Sequence, residues 1–139
     1  MGLGISVQDD PESLHSYGEN LSTYPELEIN EWEELFINVL GAPVEIERIA
    51  DEDRQSFLAR RERLFKEDLT GKGYEMLGRI WYVFRDVFYA PCEVDKLLEE
   101  CLELQHKTEN KIAFSGLEKR IFACHEALKF KSGIFLACD

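Results

Sequence analysis

The chain has 139 residues, of which 45% are apolar and 32% charged, enough for one hydrophobic core and too apolar for a disordered chain. No apolar run is longer than that of Ile134 to Cys138, far short of the roughly 20 residues a membrane-spanning helix needs. Sixteen bases against twenty-eight acids leave a net charge of −12, which disfavours direct contact with a nucleic-acid backbone or an anionic membrane.

Gly2 to Val7 alternates small and apolar residues and predicts a short strand. Gln8 to Pro25 is polar and broken by Pro11, Gly18 and Pro25, which predicts a long loop with room for a helical turn at Pro11 to His15. Asn30 is placed to cap a helix over Glu31 to Leu40, with Glu33 completing a capping box and Gly41 as the stop. After Pro43, Val44, Ile46 and Arg48 alternate with Glu45 and Glu47 in the period of a half-buried strand. Asp51 then caps a helix running to about Lys66, with Phe57, Leu58, Leu64 and Phe65 inward, and Asp68 to Gly73 forms a turn.

Tyr74 to Tyr89 carries apolar residues at helical spacing and predicts a helix, although the β-branched and aromatic stretch Ile80 to Phe84 also suits a strand. Pro91 opens the next helix, which places Val94, Leu97, Leu98, Cys101, Leu102 and Gln105 on one stripe and Glu93, Glu99, Glu100 and Glu103 outward. A last helix begins near Asn110 with Ala113, Leu117, Ile121, Cys124 and Leu128 inward, weakened by Gly116 and ended by Ser132-Gly133. Ile134 to Cys138 is a terminal strand. Strands that do not alternate regularly with helices define an α+β domain, mostly helical, with four to five helices on one face of a small sheet containing both terminal strands. Residues 1–139 form a single domain.

Motifs for chemistry are incomplete. His125-Glu126 opens the zinc pattern H-E-x-x-H, but Lys129 stands where the second histidine belongs. Cys124 and His125 are helix neighbours whose side chains diverge by about 100°. Cys92, Cys101, Cys124 and Cys138 show no C-x-x-C spacing, and with no secretory leader at Met1 to Ser6 they read as free thiols in a reducing cytoplasm. Asp51-Glu52-Asp53 lacks the frame of a calcium loop, and Thr70-Gly71-Lys72-Gly73 lacks that of a phosphate loop. Met1-Gly2 to Ser6 fits the myristoylation pattern, yet one acyl chain followed by so acidic a segment anchors poorly; a packed strand explains the glycines. No metal or cofactor is expected.

Counting charge by position shows an asymmetry. Residues 1–53 hold fourteen acids and one base, Arg48, for a balance of −13, while residues 54–139 sum to +1. The basic cluster Arg54, Arg60, Arg61, Arg63 and Lys66 follows directly and offsets the acids at short range better than it makes a phosphate site. Aromatic residues interleave with the acids, a combination interfaces use as anchors among steering charges. The expected partner-binding residues are Tyr17, Glu19, Tyr24, Glu26, Glu28, Glu31, Trp32, Glu33 and Glu34. Trp32 and Phe36 also suit the core of an amphipathic helix.

The reading that follows is a non-enzymatic acidic protein-binding module, in concrete form an inhibitor or immunity protein that blocks a basic toxin or nuclease with carboxylates in place of phosphates. Two alternatives belong to other classes: a small enzyme using Glu19 or Glu26 with His15, and a homodimer built through the C-terminal helix and strand.

Overall fold

The computed structural model describes residues 2–8, 26–82 and 85–138. Among them, four strands form one antiparallel sheet in the order β2-β1-β4-β3. The strands are β1 (Gly2–Gln8), β2 (Leu27–Glu28), β3 (Val87–Tyr89) and β4 (Gly133–Cys138). The expected terminal strands pair with each other, Leu3 opposite Cys138 through Gln8 opposite Gly133, so an α+β domain closes at its two ends.

Alternation decides what each strand buries. Leu3 and Ile5 of β1, Ile134 and Leu136 of β4, and Val87 and Tyr89 of β3 face the main core. The other face also excludes solvent, since Ser6, Gln8, Phe135 and Ala137 are buried, and the Ser6 hydroxyl donates to Gln8 Oε1 at 2.7 Å. Two glycines set the strand spacing. A Cβ on Gly2 would lie 2.1 Å from the Leu27 carbonyl oxygen of β2, and one on Gly133 would lie 2.4 Å from the Tyr89 oxygen of β3.

Four helices pack on this sheet: α1 (Ile29–Glu33), α2 (Arg54–Gly71), α3 (Val94–Lys107) and α4 (Lys111–Phe130). α1 starts at Ile29, two residues before the expected first residue Glu31. Glu28 is the capping residue, and its backbone N–H donates to Glu31 Oε1, so Glu31 and not Glu33 closes the first turn. Beyond Glu33 the helix widens into π geometry over Glu34–Val39 and ends at Gly41, whose φ of +62° favours glycine. α2 is capped by Asp53, which accepts from the Ser56 N–H at 2.7 Å, rather than by Asp51, and it runs on through the expected turn to Gly71. Of its expected inward side chains, Phe65 is buried, and Phe57, Leu58 and Leu64 are half-buried. α4 is capped by Asn110, as expected.

Two expected elements are absent from the described residues. Val44 to Arg48 forms no strand, because the alternation has no neighbouring strand to pair with. The segment from Tyr74 to Tyr89 is not a helix. It makes a short 3-10 turn at Leu77–Arg79, is irregular at residues 80–82 and 85–86, and enters β3 at Val87. The strand alternative at Ile80 to Phe84 fails as well for Ile80 to Tyr82, and residues 83–84 lie outside the described set. Side chains from other elements take over the backbone groups a helix would have bonded internally. Glu100 accepts from the N–H groups of Met76 and Leu77 at 3.0 and 2.9 Å, the Tyr89 hydroxyl donates to the Met76 carbonyl, and Trp32 Nε1 donates to the Ile80 carbonyl at 2.6 Å. The long loop expected at residues 8–25 falls almost wholly outside the described residues.

Candidate functional site

The candidate docking residues separate into three groups. Tyr17, Glu19 and Tyr24 lie outside the described residues, as does His15 of the alternative catalytic pair. Glu31 and Trp32 are withdrawn into the protein, a correction to their expected role. Trp32 is buried against Phe36 and Phe65, with ring centroids at 5.3 and 6.2 Å, and its indole nitrogen is committed to Ile80. Glu31 is 5% exposed, and its carboxylate accepts from Lys119 Nζ at 2.7 Å and the Ser115 hydroxyl at 2.8 Å, both from α4. Burial pushes this carboxyl up, but the hydrogen bonds from Lys119, the Glu28 amide and Ser115, with the Lys119 charge, leave it below the usual range.

The remaining four stay nearer the surface. Glu28 and Glu33 are exposed; Glu26 and Glu34 are half-buried. Glu34 Oε2 accepts from the amides of Asn38 and Asn110, which hold its carboxyl low. The Glu26 backbone carbonyl accepts from Lys119 Nζ, so one lysine fastens α4 to both Glu26 and Glu31.

Further along the acidic stretch, Glu52 is taken by Arg60, whose guanidinium bonds both carboxylate oxygens and the Glu47 carbonyl. These Arg60 contacts hold the Glu52 carboxyl down at about 2. Glu33, Glu45, Glu47 and Asp51 are exposed, and their carboxylates hold no ion pair among the described residues. The fold thus places a base on Glu31 and on Glu52 and leaves the acids around them facing water.

The basic cluster on α2 is partly consumed. Arg60 belongs to Glu52, Lys66 pairs with Glu62, and Arg61 lies 5.6 Å over the Tyr82 ring; Arg54 and Arg63 are exposed. Beside it lie two hollows of about 260 and 270 Å³ that share Glu62, Trp81 and Arg85. Arg85 stacks 5.7 Å over Trp81, while Arg79 is bound to Glu93. With Glu62 and Asp86 among the walls, this groove is mixed in sign and does not single out an anion.

Two buried charges escaped the sequence reading. Glu100, expected on the outward stripe of α3, is 4% exposed; desolvation pushes its carboxyl up against the lowering effect of the Met76 and Leu77 amides. Arg120 of α4 is 2% exposed and lines a small cavity with Ile5, Ile80, Tyr89, Leu97, Ala123, Ile134 and Leu136. A signal for it existed. α4 buries Ala113, Gly116, Leu117, Arg120, Ala123, Cys124 and Ala127, and position 120 falls in that stripe at three- and four-residue steps.

Cys101 and Cys124 are buried free thiols and Cys92 is an exposed one; burial pushes Cys101 up to about 12 and Cys124 higher. Cys124 points inward and its neighbour His125 outward. Among the described residues, no cluster of three or more His, Cys, Asp or Glu side chains is arranged to hold a metal, and no helix is long and apolar enough to cross a membrane. No protein family, no curated protein and no solved structure matches this chain.

Proposed function

We propose that this protein is a non-enzymatic binding module that docks onto a basic protein through exposed carboxylates of residues 26–53. One observation carries the reading. Within a stretch holding one base, the fold draws Arg60 and Lys119 onto Glu52 and Glu31 and leaves Glu33, Glu45, Glu47 and Asp51 exposed and unneutralised. Concentrated charge of one sign opposes folding, and a docking role gives that cost a purpose. The docking set is accordingly Glu28, Glu33, Glu45, Glu47 and Asp51, with Glu31 and Trp32 supporting it from inside. A partner with a phosphate-binding cleft, such as a nuclease toxin, offers the matching cationic surface, and the module would act as its inhibitor or immunity protein.

The test is to isolate the basic partner from the native host and measure association over roughly 50 to 500 mM salt, where screening lengths shrink several-fold. The on-rate should fall steeply with salt, and changing those five acids to their amides should remove most of that dependence. A salt-insensitive on-rate, or an amide variant that associates like the wild type, overturns the proposal.

Self-association through α4 is a second reading, favoured by the exposure of Ile112, Phe114, Phe122 and Phe130 along that helix. The strand gives that reading less support than the helix does. Ile134 to Leu136 of β4 are flanked by β1 on one side and β3 on the other, so they have no open edge for a second copy. Sedimentation equilibrium of wild type and Phe122→Lys decides it: a concentration-dependent dimer abolished by the substitution supports this reading, and a monomer throughout removes it.

A further inference from the structure

β3 is the last strand of the sheet, with β4 on one side and no strand on the other among the described residues. An antiparallel strand bonds to its neighbour through alternate residues, so the direction of one carbonyl fixes the rest. The Tyr89 carbonyl points at β4, where a Cβ on Gly133 would lie 2.4 Å from its oxygen. Tyr89 and Val87 therefore turn their backbone groups to the ladder, and the N–H and C=O of Phe88, between them, turn away from it. Arg79, which belongs to neither strand, donates from Nη1 to the Phe88 oxygen at 3.5 Å. That bond is long, and the same nitrogen donates to Glu93 Oε1 at 3.0 Å. The Phe88 carbonyl keeps a second lone pair, and its N–H has no acceptor among the described residues.

A groove begins at this edge. The two hollows of about 260 and 270 Å³ run together between α2 and the segment that leads into β3, and Val87 and Phe88 line the second. On the α2 side the wall is Gln55, Leu58, Ala59, Glu62 and Lys66, one face of the helix and about 16 Å long at about 1.5 Å per residue. An extended chain covers that length with about five residues.

Backbone chemistry, more than charge, selects the occupant. Lys66 is paired with Glu62 and Arg79 with Glu93, so most of the charge along the walls is already matched. Arg85 is the exception: it is exposed, lies 5.7 Å over the Trp81 ring and holds no ion pair among the described residues. A phosphate or a metal ion would leave either the donor or the acceptor of Phe88 unused. A peptide backbone offers one of each at strand spacing, and an unpaired strand edge is a template for it.

We propose that this groove is a docking site for an extended peptide segment of another protein, about five residues long, which adds to β3 as a further strand. It lays an apolar side chain on Leu58 and Trp81 and sets a carboxylate against Arg85. None of the five docking acids lines the groove, so this surface is separate from the acidic one.

The test presents the intact protein to a phage-displayed library of random peptides of about twelve residues at about 0.15 M salt, where long-range steering is largely screened. The expected result is enrichment of sequences that alternate apolar and polar residues and carry an acid. A synthetic copy of an enriched peptide should bind wild type and the variant with the five docking acids changed to amides equally. It should lose about tenfold or more in affinity for Ala59→Trp, which fills the groove, and for Arg85→Glu. Both positions are exposed, so neither change threatens the fold. N-methylation of the peptide should abolish binding at the position bonded to Phe88 and be tolerated at its two neighbours, the alternation of an added strand. No enriched sequence, equal affinity for wild type and both groove variants, or indifference to N-methylation at every position overturns the proposal. So does a wild-type dimer that Ala59→Trp dissociates in sedimentation, which would assign the edge to a second copy of the chain.

Discussion

Trp32 shows that an aromatic residue's role depends on where its polar atom finds a partner. Its ring lies between Phe36 and Phe65, and its indole N–H satisfies the carbonyl of Ile80, in a segment that has left helical geometry. Trp32→Phe keeps an aromatic ring but leaves that carbonyl unbonded, so unfolding free energy should fall by about 2 kcal/mol, read from a denaturant midpoint. Glu100 makes a related case. Its two oxygens serve two backbone N–H groups, and Gln can present only one oxygen, so Glu100→Gln should cost about 1 to 3 kcal/mol although it removes a buried charge. The acid limb of stability has a definite sign. The folded Glu31 carboxyl lies below its ordinary value of 4.5, so below that pH the unfolded chain takes the proton first, and stability drains away as pH falls through the lowered value. Glu93, held low by Arg79, acts in the same direction, and Glu100, pushed up by burial, acts oppositely. Glu31→Gln should therefore flatten the acid limb of a urea-midpoint profile between pH 5 and 3; a slope unchanged from wild type would show that Lys119 stabilises nothing through this carboxylate.

At the scale of elements, what the sequence made legible was whatever its local pattern satisfied locally. β1 and β4 read as strands from alternation and a short apolar run, and the Asn110 cap read from its position, because each needs only its own residues and one obvious neighbour. Val44 to Arg48 has the strand pattern but no partner, and Tyr74 to Tyr89 has the helical period but finds Glu100, Tyr89 and Trp32 on its backbone groups, contacts 48 residues apart in the Trp32 case. No periodicity reports such distant bonds. The candidate site was legible only as charge: the excess of acids was visible, whereas the bases that claim Glu31 and Glu52 come from α4 and α2. Asn110 joins two elements by itself, since Oδ1 caps α4 through Ile112 and Ala113 while Nδ2 donates to Glu34 at the end of α1. Asn110→Ala should cost about 1 to 2 kcal/mol. Asn110→Asp keeps the cap but sets a second carboxylate against Glu34, so it should fall below wild type at pH 7 and recover towards it near pH 4, a crossing that circular-dichroism melts at the two pH values would reveal.

For the whole molecule, the informative quantity is how much of its electric field the fold chose not to cancel. Residues 1–53 sum to −13 and residues 54–139 to +1, so self-repulsion is concentrated in one part of the chain. If the exposed acids were there for structure, removing them would weaken the protein. They hold no ion pair among the described residues, and so their removal should do the reverse. A variant carrying Glu28→Gln, Glu33→Gln, Glu45→Gln, Glu47→Gln and Asp51→Asn should melt several degrees above wild type at about 10 mM salt, where the screening length is near 30 Å, and the gap should close at about 1 M, where it is near 3 Å. Asp51 suits the exchange, because its φ of +67° is a conformation Asn adopts readily. The same variant should lose its salt-dependent association with a basic partner. A gain in stability coupled to a loss in binding identifies charge retained for recognition; a loss in stability at low salt would instead assign these carboxylates to the fold, and the docking proposal would lose its physical basis.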